Sequence, residues 1–284
     1  MRLYYQKIKI YVIILLLKHI LLVKILKHFI GIDIGSLATK IVLINDGKLI
    51  DHKTERSTYD FKRVGHNLFD ELLKTHQLKP SEVFVMSTGY GRNTIDIAND
   101  RVTEITAHAR GVQYFYPDVH SVVDIGGQDS KAIVISPKTK NVVDFQMNDK
   151  CAAGTGRFLE VMAHALEVPI DEFGNLALKS KKPESISSTC TVFAESEVIS
   201  LFARGASKED IASGIHKSIA RRVAGMAKRI GVEPQLVFCG GVAKNPAVKK
   251  YLEEEFGFEI IIPELPQLTG AIGAALIAQE HNSN

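Results

Sequence analysis

Cysteine and tryptophan are scarce in this sequence. Its 284 residues include three cysteines and no tryptophan. So few cysteines exclude a disulfide-stapled scaffold and suit a reducing compartment, so we expect a cytoplasmic protein. No two cysteines form a Cys-x-x-Cys pair, so no zinc or ferredoxin-type site built on such pairs is written within one chain.

Acidic residues are missing from the first 28 positions, which carry six lysines and arginines. Lys18 and Lys24 interrupt the apolar run there, and lysines are costly near a bilayer centre. No small residue suited to signal-peptide cleavage precedes Gly31. We interpret residues 1–28 as an N-terminal basic apolar extension added by a misplaced start codon, with the native start near residues 27–29. A membrane-surface anchor is the alternative.

The remaining sequence has no excess of positive charge. Residues 29–284 hold 29 basic and 32 acidic residues, so nucleic-acid binding is not predicted. Hydrophobic residues make up 45% of the whole chain and charged residues 24%, which is typical of a soluble globular protein. We therefore expect neither nucleic acid nor a membrane as a partner.

A strand–turn–strand pattern occurs twice, 91 residues apart. Each copy places an aspartate two residues before a glycine and seven before a lysine. The copies span residues 29–44 and 122–135, with these residues at Asp33, Gly35 and Lys40, and at Asp124, Gly126 and Lys131. A repeat with this register predicts duplicated domains.

Both copies contain residue types that bind phosphate and magnesium. An aspartate that ends a buried strand can hold hydrated Mg²⁺, and glycines and hydroxyls in a turn let backbone N–H groups approach phosphate. Neither turn is a Walker A or G-x-G-x-x-G motif, and two ordinary β-hairpins are the alternative. We predict catalytic roles for Asp33, Asp124 and Gln128. The predicted nucleotide-binding residues of these turns are Gly35, Ser36, Thr39, Lys40, Gly126, Gly127 and Lys131.

A third glycine turn follows the strand predicted over residues 236–239. Gly240 and Gly241 lead to Asn245 and to a helix predicted to start near Pro246. The three turns together resemble the two phosphate loops and the adenosine-binding turn of the actin, Hsp70 and sugar-kinase superfamily. That resemblance implies an α/β ATPase fold of two duplicated RNase H-like halves around a nucleotide cleft. It also implies that Gly240, Gly241 and Asn245 contact adenosine.

Apolar spacing predicts the elements between these turns. Helices are predicted over residues 62–77, 97–115 and 208–230, and a strand over residues 83–86. We expect the halves to span residues 29–119 and 120–268. We expect a small-residue helix over residues 269–284 to pack back on the first half.

Two cysteines precede helical patterns in similar ways. Cys151 stands before a Gly-Thr-Gly turn within residues 146–160, and Cys190 lies within residues 187–197. The positive end of a helix dipole favours the thiolate form. A four-ligand site needs both thiols from each subunit of a symmetric dimer, and spacing alone favours two buried free cysteines instead. Cys239, inside the predicted strand, is interpreted as a core residue.

Residues 146–160 and 187–200 resemble the signature segments of the ATP-dependent activators of 2-hydroxyacyl-CoA dehydratases, which are grouped with the ATPase subunits of benzoyl-CoA reductase. The resemblance runs from about residue 29 to near the C-terminus. It implies a homodimer in which Cys151 and Cys190 of both subunits hold one bridging [4Fe–4S] cluster. It also implies Mg²⁺ and ATP as cofactors, and ferredoxin or flavodoxin as the electron donor. The implied electron acceptor is a 2-hydroxyacyl-CoA dehydratase or a related reductase.

Two other functions remain open at this stage. The first is a small-molecule kinase of the same superfamily, which would transfer phosphate and need no iron. The second is a non-catalytic scaffold that ATP gates. The absorbance spectrum of anaerobically purified protein separates both from an iron–sulfur ATPase.

Overall fold

The computed structural model describes residues 28–187 and 191–283, which contain two β-sheets. The first sheet has five strands in the order β3-β2-β1-β4-β5. These strands are β1 (His28–Ile34), β2 (Ala38–Asn45), β3 (Lys48–Arg56), β4 (Val83–Thr88) and β5 (Asp100–Arg101).

The second sheet repeats the plan of the first with four strands in the order β8-β7-β6-β9. They are β6 (Ser121–Ile125), β7 (Ser130–Ile135), β8 (Val142–Asn148) and β9 (Leu236–Cys239). In the first sheet, β1 pairs antiparallel with β2 and parallel with β4. In the second, β6 pairs antiparallel with β7 and parallel with β9. The shared strand order confirms the predicted α/β fold with two sheets of duplicated plan.

The central strands owe their apolar sequences to cover on both faces. β1 and β6 are buried almost throughout, as strands between two layers must be. At the edge of the first sheet, β3 alternates between exposed and half-buried residues, since only one of its faces is covered. Each of the two strands carries a buried aspartate near its end, Asp33 in β1 and Asp124 in β6.

Helices surround and separate the two sheets. They are α1 (Phe61–His76), α2 (Glu104–Phe115), α3 (Gly156–Ala165), α4 (Ile170–Ala177), α5 (Thr191–Ala203), α6 (Lys208–Lys228), α7 (Pro246–Phe256) and α8 (Thr269–Ser283). The predicted helices over residues 62–77 and 208–230 are confirmed as α1 and α6. No helix in the described part of the chain is both long and apolar enough to cross a membrane.

The helix predicted over residues 97–115 was wrong in its first third. Asp100 and Arg101 pair with β4 as a short strand. Thr103 then caps α2 by accepting a hydrogen bond from the Thr106 N–H, which satisfies one of the free donors at the helix start. The helix therefore begins at Glu104, and its first residue faces the cleft described below.

α2 and α8 form the middle layers between the sheets. Ala271 of α8 shares a buried cluster with Val42 of the first sheet, and Val112 of α2 shares one with Ile133 of the second. The outer face of the first sheet is covered by α1. A large core that includes residues of α3 to α7 covers the outer face of the second.

Glycines bring α2, α8 and β1 into backbone contact. A Cβ atom on Gly273 of α8 would lie 1.8 Å from a carbonyl oxygen of α2. One on Gly111 of α2 would lie 1.8 Å from an oxygen of α8, and one on Gly31 of β1 would lie 1.9 Å from another. Small residues of α8 therefore pack against the backbone of β1 in the first sheet.

Candidate active site

A cleft of about 630 Å³ lies between the two halves. The turns after β1 and β6 line it, together with the segments that follow β4 and β9 and the starts of α2, α3 and α4. In an α/β sheet such a crevice at the ends of strands is the usual place for a ligand.

The first turn places an aspartate and a lysine side by side at the cleft. Asp33 and Lys40 are direct partners in the β1–β2 ladder, and Lys40 Nζ donates to Asp33 Oδ2 at 3.0 Å. Burial acts to lower the pKa of Lys40, but the Asp33 carboxylate outweighs it and the net pKa is raised. Lys40 therefore stays charged, and its ammonium group is paired with the Asp33 carboxylate.

Asp33 keeps one oxygen without a hydrogen-bond partner. Oδ1 is buried and no described residue donates to it. Gly89 (φ +87°), the first residue after β4, lies against this oxygen, because a Cβ there would come within 2.5 Å. A buried carboxylate oxygen without a donor is costly unless a cation or water satisfies it. The chemistry of Asp33 Oδ1 therefore fits hydrated Mg²⁺, which takes oxygen ligands.

The second turn buries its lysine among three carboxylates. Lys131 Nζ lies 3.2 Å from Asp124, 2.9 Å from Asp129 and 2.9 Å from Glu104, and its side chain is fully buried. Burial acts to lower the pKa of Lys131, but the three carboxylates raise it well above its ordinary value. This lysine is a structural counter-ion and does not reach the cleft surface.

The same neighbours set the charge of Asp124. Burial pushes the pKa of Asp124 upward, but the nearby charges of His108 and Lys131 outweigh that effect and lower it to about 2. Asp124 is therefore an anion at neutral pH. It faces the cleft from a position equivalent to that of Asp33.

Glu104 adds a carboxylate that the sequence did not reveal. It is the first residue of α2, and burial raises its pKa. A carboxylate at a helix start ordinarily complements the helix dipole, so the sequence alone offered no sign of a role in the cleft. Its contact with Lys131 depends on where α2 begins, which the incorrect helix boundary concealed.

The two phosphate turns touch each other and the start of α3. Leu37 of the first turn covers Gly127 of the second, where an added Cβ would lie 2.2 Å from the leucine Cδ1 atom. The Gly156 N–H donates to Gly126 O at 2.9 Å, and the Arg157 N–H donates to Gly127 O at 2.8 Å. The N-terminus of α3 is thus bonded directly to the second turn.

Cys151 precedes that contact by five residues. Asn148, the last residue of β8, donates to the carbonyls of Cys151 at 2.9 Å and Ala153 at 3.0 Å. The Cys151 side chain is half-buried at the edge of the large core. α3 begins only at Gly156, so Cys151 lies in the segment that leads into the helix. Cys190 lies outside the described residues.

The third turn follows β9 and is shaped by Gly240 and Asn245. Gly240 has φ +89°, and a Cβ there would lie 2.7 Å from Asp124 Oδ1. Asn245 caps α7 by accepting from the Ala247 and Val248 N–H groups at 3.0 and 3.2 Å. Its amide nitrogen lies 3.0 Å from His216 Nε2.

His216 orients that asparagine. The ring is buried, and its Nδ1 lies 2.7 Å from Ala212 O, which requires a proton on Nδ1 and leaves Nε2 to accept from Asn245. Burial lowers the pKa of His216 to about 4. The ring is therefore neutral at physiological pH, and the Asn245 amide keeps one orientation.

The structure gathers most of the predicted site residues around the cleft. Eleven of them line it: Asp33, Gly35, Ser36, Lys40, Asp124, Gly126, Gly127, Gln128, Gly240, Gly241 and Asn245. Thr39 does not, because its buried side chain bonds to Ser57 at 3.0 Å. Lys131 lies beneath the lining, and Cys151 lies away from it.

This fold of two sheets is that of the actin-like ATPases and sugar kinases. A ROK-family glucokinase from Streptomyces griseus, solved with glucose and AMPPNP, superposes with a TM-score of 0.55 at 14% identity, over 89% of this chain and 99% of that one. At that identity the likeness concerns the fold alone.

The chain belongs to the BadF/BadG/BcrA/BcrD ATPase family, whose model matches residues 30–278. It is 47% identical over 253 residues to the (R)-2-hydroxyglutaryl-CoA dehydratase activating ATPase of Acidaminococcus fermentans, covering 88% of this chain and 96% of that protein. The activator of the 2-hydroxyisocaproyl-CoA dehydratase from Clostridium difficile, solved with bound ADPNP, superposes with a TM-score of 0.84 at 43% identity. That match covers 90% of this chain and 96% of the other. These findings confirm the family resemblance of the signature segments.

Proposed function

We propose that this chain is an ATP-hydrolysing activator that drives low-potential, single-electron transfer to a 2-hydroxyacyl-CoA dehydratase or a related acyl-CoA reductase. The observation that carries the proposal is the bonding of the second phosphate turn to α3, whose preceding segment holds Cys151. The similarity to two dehydratase activators, each matched over most of its length, supports the same assignment.

In this proposal the aspartates of the two turns hold the hydrated magnesium ion. Asp33 offers its unpaired Oδ1, and Asp124 is a buried anion on the opposite side of the cleft. The Gly35 and Gly126 N–H groups donate to Ala38 O at 3.1 Å and to Asp129 O at 3.0 Å within their own turns. These glycines let the chain pass close to the phosphates, which the Gly127 N–H faces. Gln128 lines the cleft with them and orients the attacking water. Gly240, Gly241 and Asn245 form the adenosine side.

Cys151 and Cys190 of two subunits are proposed to hold a bridging [4Fe–4S] cluster in a homodimer. When bound, the cluster would take one electron from a reduced ferredoxin or flavodoxin and release it to the partner enzyme. The half-buried position of Cys151 supports this role, because a cluster thiolate needs both access to iron and shelter from water. The carbonyl of Cys151 is already fixed by Asn148.

Coupling between the sites follows from the bonds to α3. A change at Gly126 or Gly127 on loss of the γ-phosphate must move or break the two hydrogen bonds that these residues accept. The start of α3 and the segment carrying Cys151 move with them. An element with two arrangements, each biased by the nucleotide, is the physical requirement for such a switch.

Anaerobic purification tests the cluster directly. The parent protein should be brown and contain iron and sulfide near four per dimer, as a cluster with four cysteine ligands requires. Cys151→Ser and Cys190→Ser should lose the iron. Cys239→Thr is the matched control, since it removes the third cysteine and should keep the iron. A colourless, iron-free dimer with full ATPase activity would contradict the proposal.

A further inference from the structure

We propose that His108, Asp124 and Cys239 form a binding site for a thiophilic divalent cation such as Zn²⁺ or Cd²⁺, beneath the floor of the cleft. Cys239 ends β9 and is the direct ladder partner of Asp124 on β6, while His108 comes from α2. All three residues are buried, and their donor atoms lie within 4.8 Å of one another.

The separations of the donor atoms suit one metal ion. Cys239 Sγ lies 3.6 Å from Asp124 Oδ1 and 3.9 Å from His108 Nδ1, and one donor atom from each of the three residues lies within 4.8 Å of the other two. Tetrahedral zinc with ordinary bond lengths separates its ligands by roughly 3.5 Å. Inward shifts of up to about 1 Å therefore bring three ligands into place.

The chemistry and the charge of the surroundings favour such an ion. Sulfur, imidazole and carboxylate are the ligands that zinc takes in proteins, whereas Mg²⁺ prefers oxygen alone. Binding forms a metal–sulfur bond and releases the thiol proton to solvent, with no change of oxidation state. The four carboxylates in this region outnumber its two lysines, so a divalent cation lowers the net negative charge even after the thiol proton is lost. The carboxylates are Asp33, Glu104, Asp124 and Asp129, and the lysines are Lys40 and Lys131.

An ion can reach this site from the cleft, and the equivalent position in the first half differs. His108 and Asp124 line the cleft, which gives an ion a path from solvent. The position equivalent to Cys239 in the first half is Thr88, the ladder partner of Asp33. A threonine hydroxyl is a poor ligand for a thiophilic metal, so only the second half has this site. An ion bound there withdraws Asp124 from the nucleotide.

The closing experiment titrates the anaerobically purified full chain with ZnCl₂ and measures bound zinc after dialysis. The variant Cys239→Thr gives the second half the residue of the first. We expect the parent to hold one more zinc per chain than this variant, because any zinc at Cys151 and Cys190 is common to both. Zinc affinity at the site should fall by roughly 100-fold or more without the sulfur ligand, since loss of an outer-shell partner alone costs roughly 10–100-fold. Cys239→Ser serves as a second variant should the threonine disturb folding.

Equal zinc content in the parent and in both folded variants would overturn the site. Hydrolysis supplies a separate readout that rests on the proposed role of Asp124. Zinc should inhibit ATP hydrolysis by the parent and by Cys151→Ser but spare Cys239→Thr. One extra bound zinc without inhibition would support the site and contradict the proposed role of Asp124 instead.

Discussion

The two phosphate turns share one backbone plan but differ in how they hold their charges. In the first, Asp33 is the one partner of Lys40 among the described residues, and the Lys40 side chain remains 15% exposed. In the second, Lys131 is fully buried between Asp124, Asp129 and Glu104. The first turn keeps an unpaired carboxylate oxygen, whereas the second joins its charges to α2 and its carbonyls to α3. The two turns therefore share one geometry, but the second is bonded to more of the surrounding helices.

Removal of each lysine should show the largest difference between the turns. Lys131→Met leaves the buried Asp124 and the half-buried Glu104 and Asp129 without their cation, and loss of one partner from a buried ion pair costs about 3–5 kcal/mol. Lys40→Met leaves one carboxylate and should cost about 1–3 kcal/mol. Urea unfolding of both variants measures the difference. Equal losses of unfolding free energy would mean that the two lysines play equivalent structural roles.

ATP hydrolysis should depend on both aspartates. Asp33→Asn and Asp124→Asn each remove an anion that the proposal assigns to the magnesium ion. We expect each change to lower the rate of Mg²⁺-dependent hydrolysis by roughly 100-fold or more, the scale of losing one charged group at a reacting phosphate. Circular dichroism of both variants should match that of the parent. Parent-like hydrolysis by both would refute the assignment of the phosphate turns.

The acid side of the stability curve should distinguish Asp124. Its pKa is lowered from 3.8 to about 2 in the folded protein, so the folded state favours the anion. The resulting stability, roughly 2 kcal/mol, is present above pH 4 and is lost as the pH falls through 2. Asp124→Asn should lose less unfolding free energy between pH 4 and pH 2 than the parent. Identical slopes in urea titrations at these pH values would contradict the lowered pKa.

The contact between the turns allows a finer test. Gly127→Ala places a Cβ against Leu37, and overpacking of this kind costs about 1–3 kcal/mol. We expect weaker binding of ATP by calorimetry. Leu37→Ala removes the atoms in conflict, so the double variant should recover most of the affinity. Additive losses in the double variant would show that the two turns do not communicate through this contact.

The sequence predicted the repeat because aspartate, glycine and lysine recur at one offset. It did not predict that the repeat extends further. Thr88-Gly89 and Cys239-Gly240 are equivalent in the two sheets, and both glycines have positive φ. Their residue types differ and they stand 151 positions apart, so no constant offset revealed them.

The contacts of the two lysines and of Glu104 could not be predicted from the sequence. A lysine seven residues after an aspartate could contact either a phosphate or the aspartate itself. The strand register, which the sequence does not reveal, places each lysine opposite its aspartate. Glu104 joins Lys131 across a sequence separation that no local pattern describes. Tertiary packing of α2 created that contact. Thr39 similarly turned away from the cleft because strand β2 directs it toward Ser57.

The central claim is that the second phosphate turn controls the segment that carries Cys151. The most direct test is the electron paramagnetic resonance spectrum of the reduced, anaerobic protein, recorded with Mg²⁺-ADP and then with a non-hydrolysable Mg²⁺-ATP analogue. We predict that the cluster signal differs between the two nucleotides in the parent and in Cys239→Thr, and that it is the same with both in Asp124→Asn. A parent spectrum that does not change with the nucleotide, at concentrations that saturate binding, would contradict the claim.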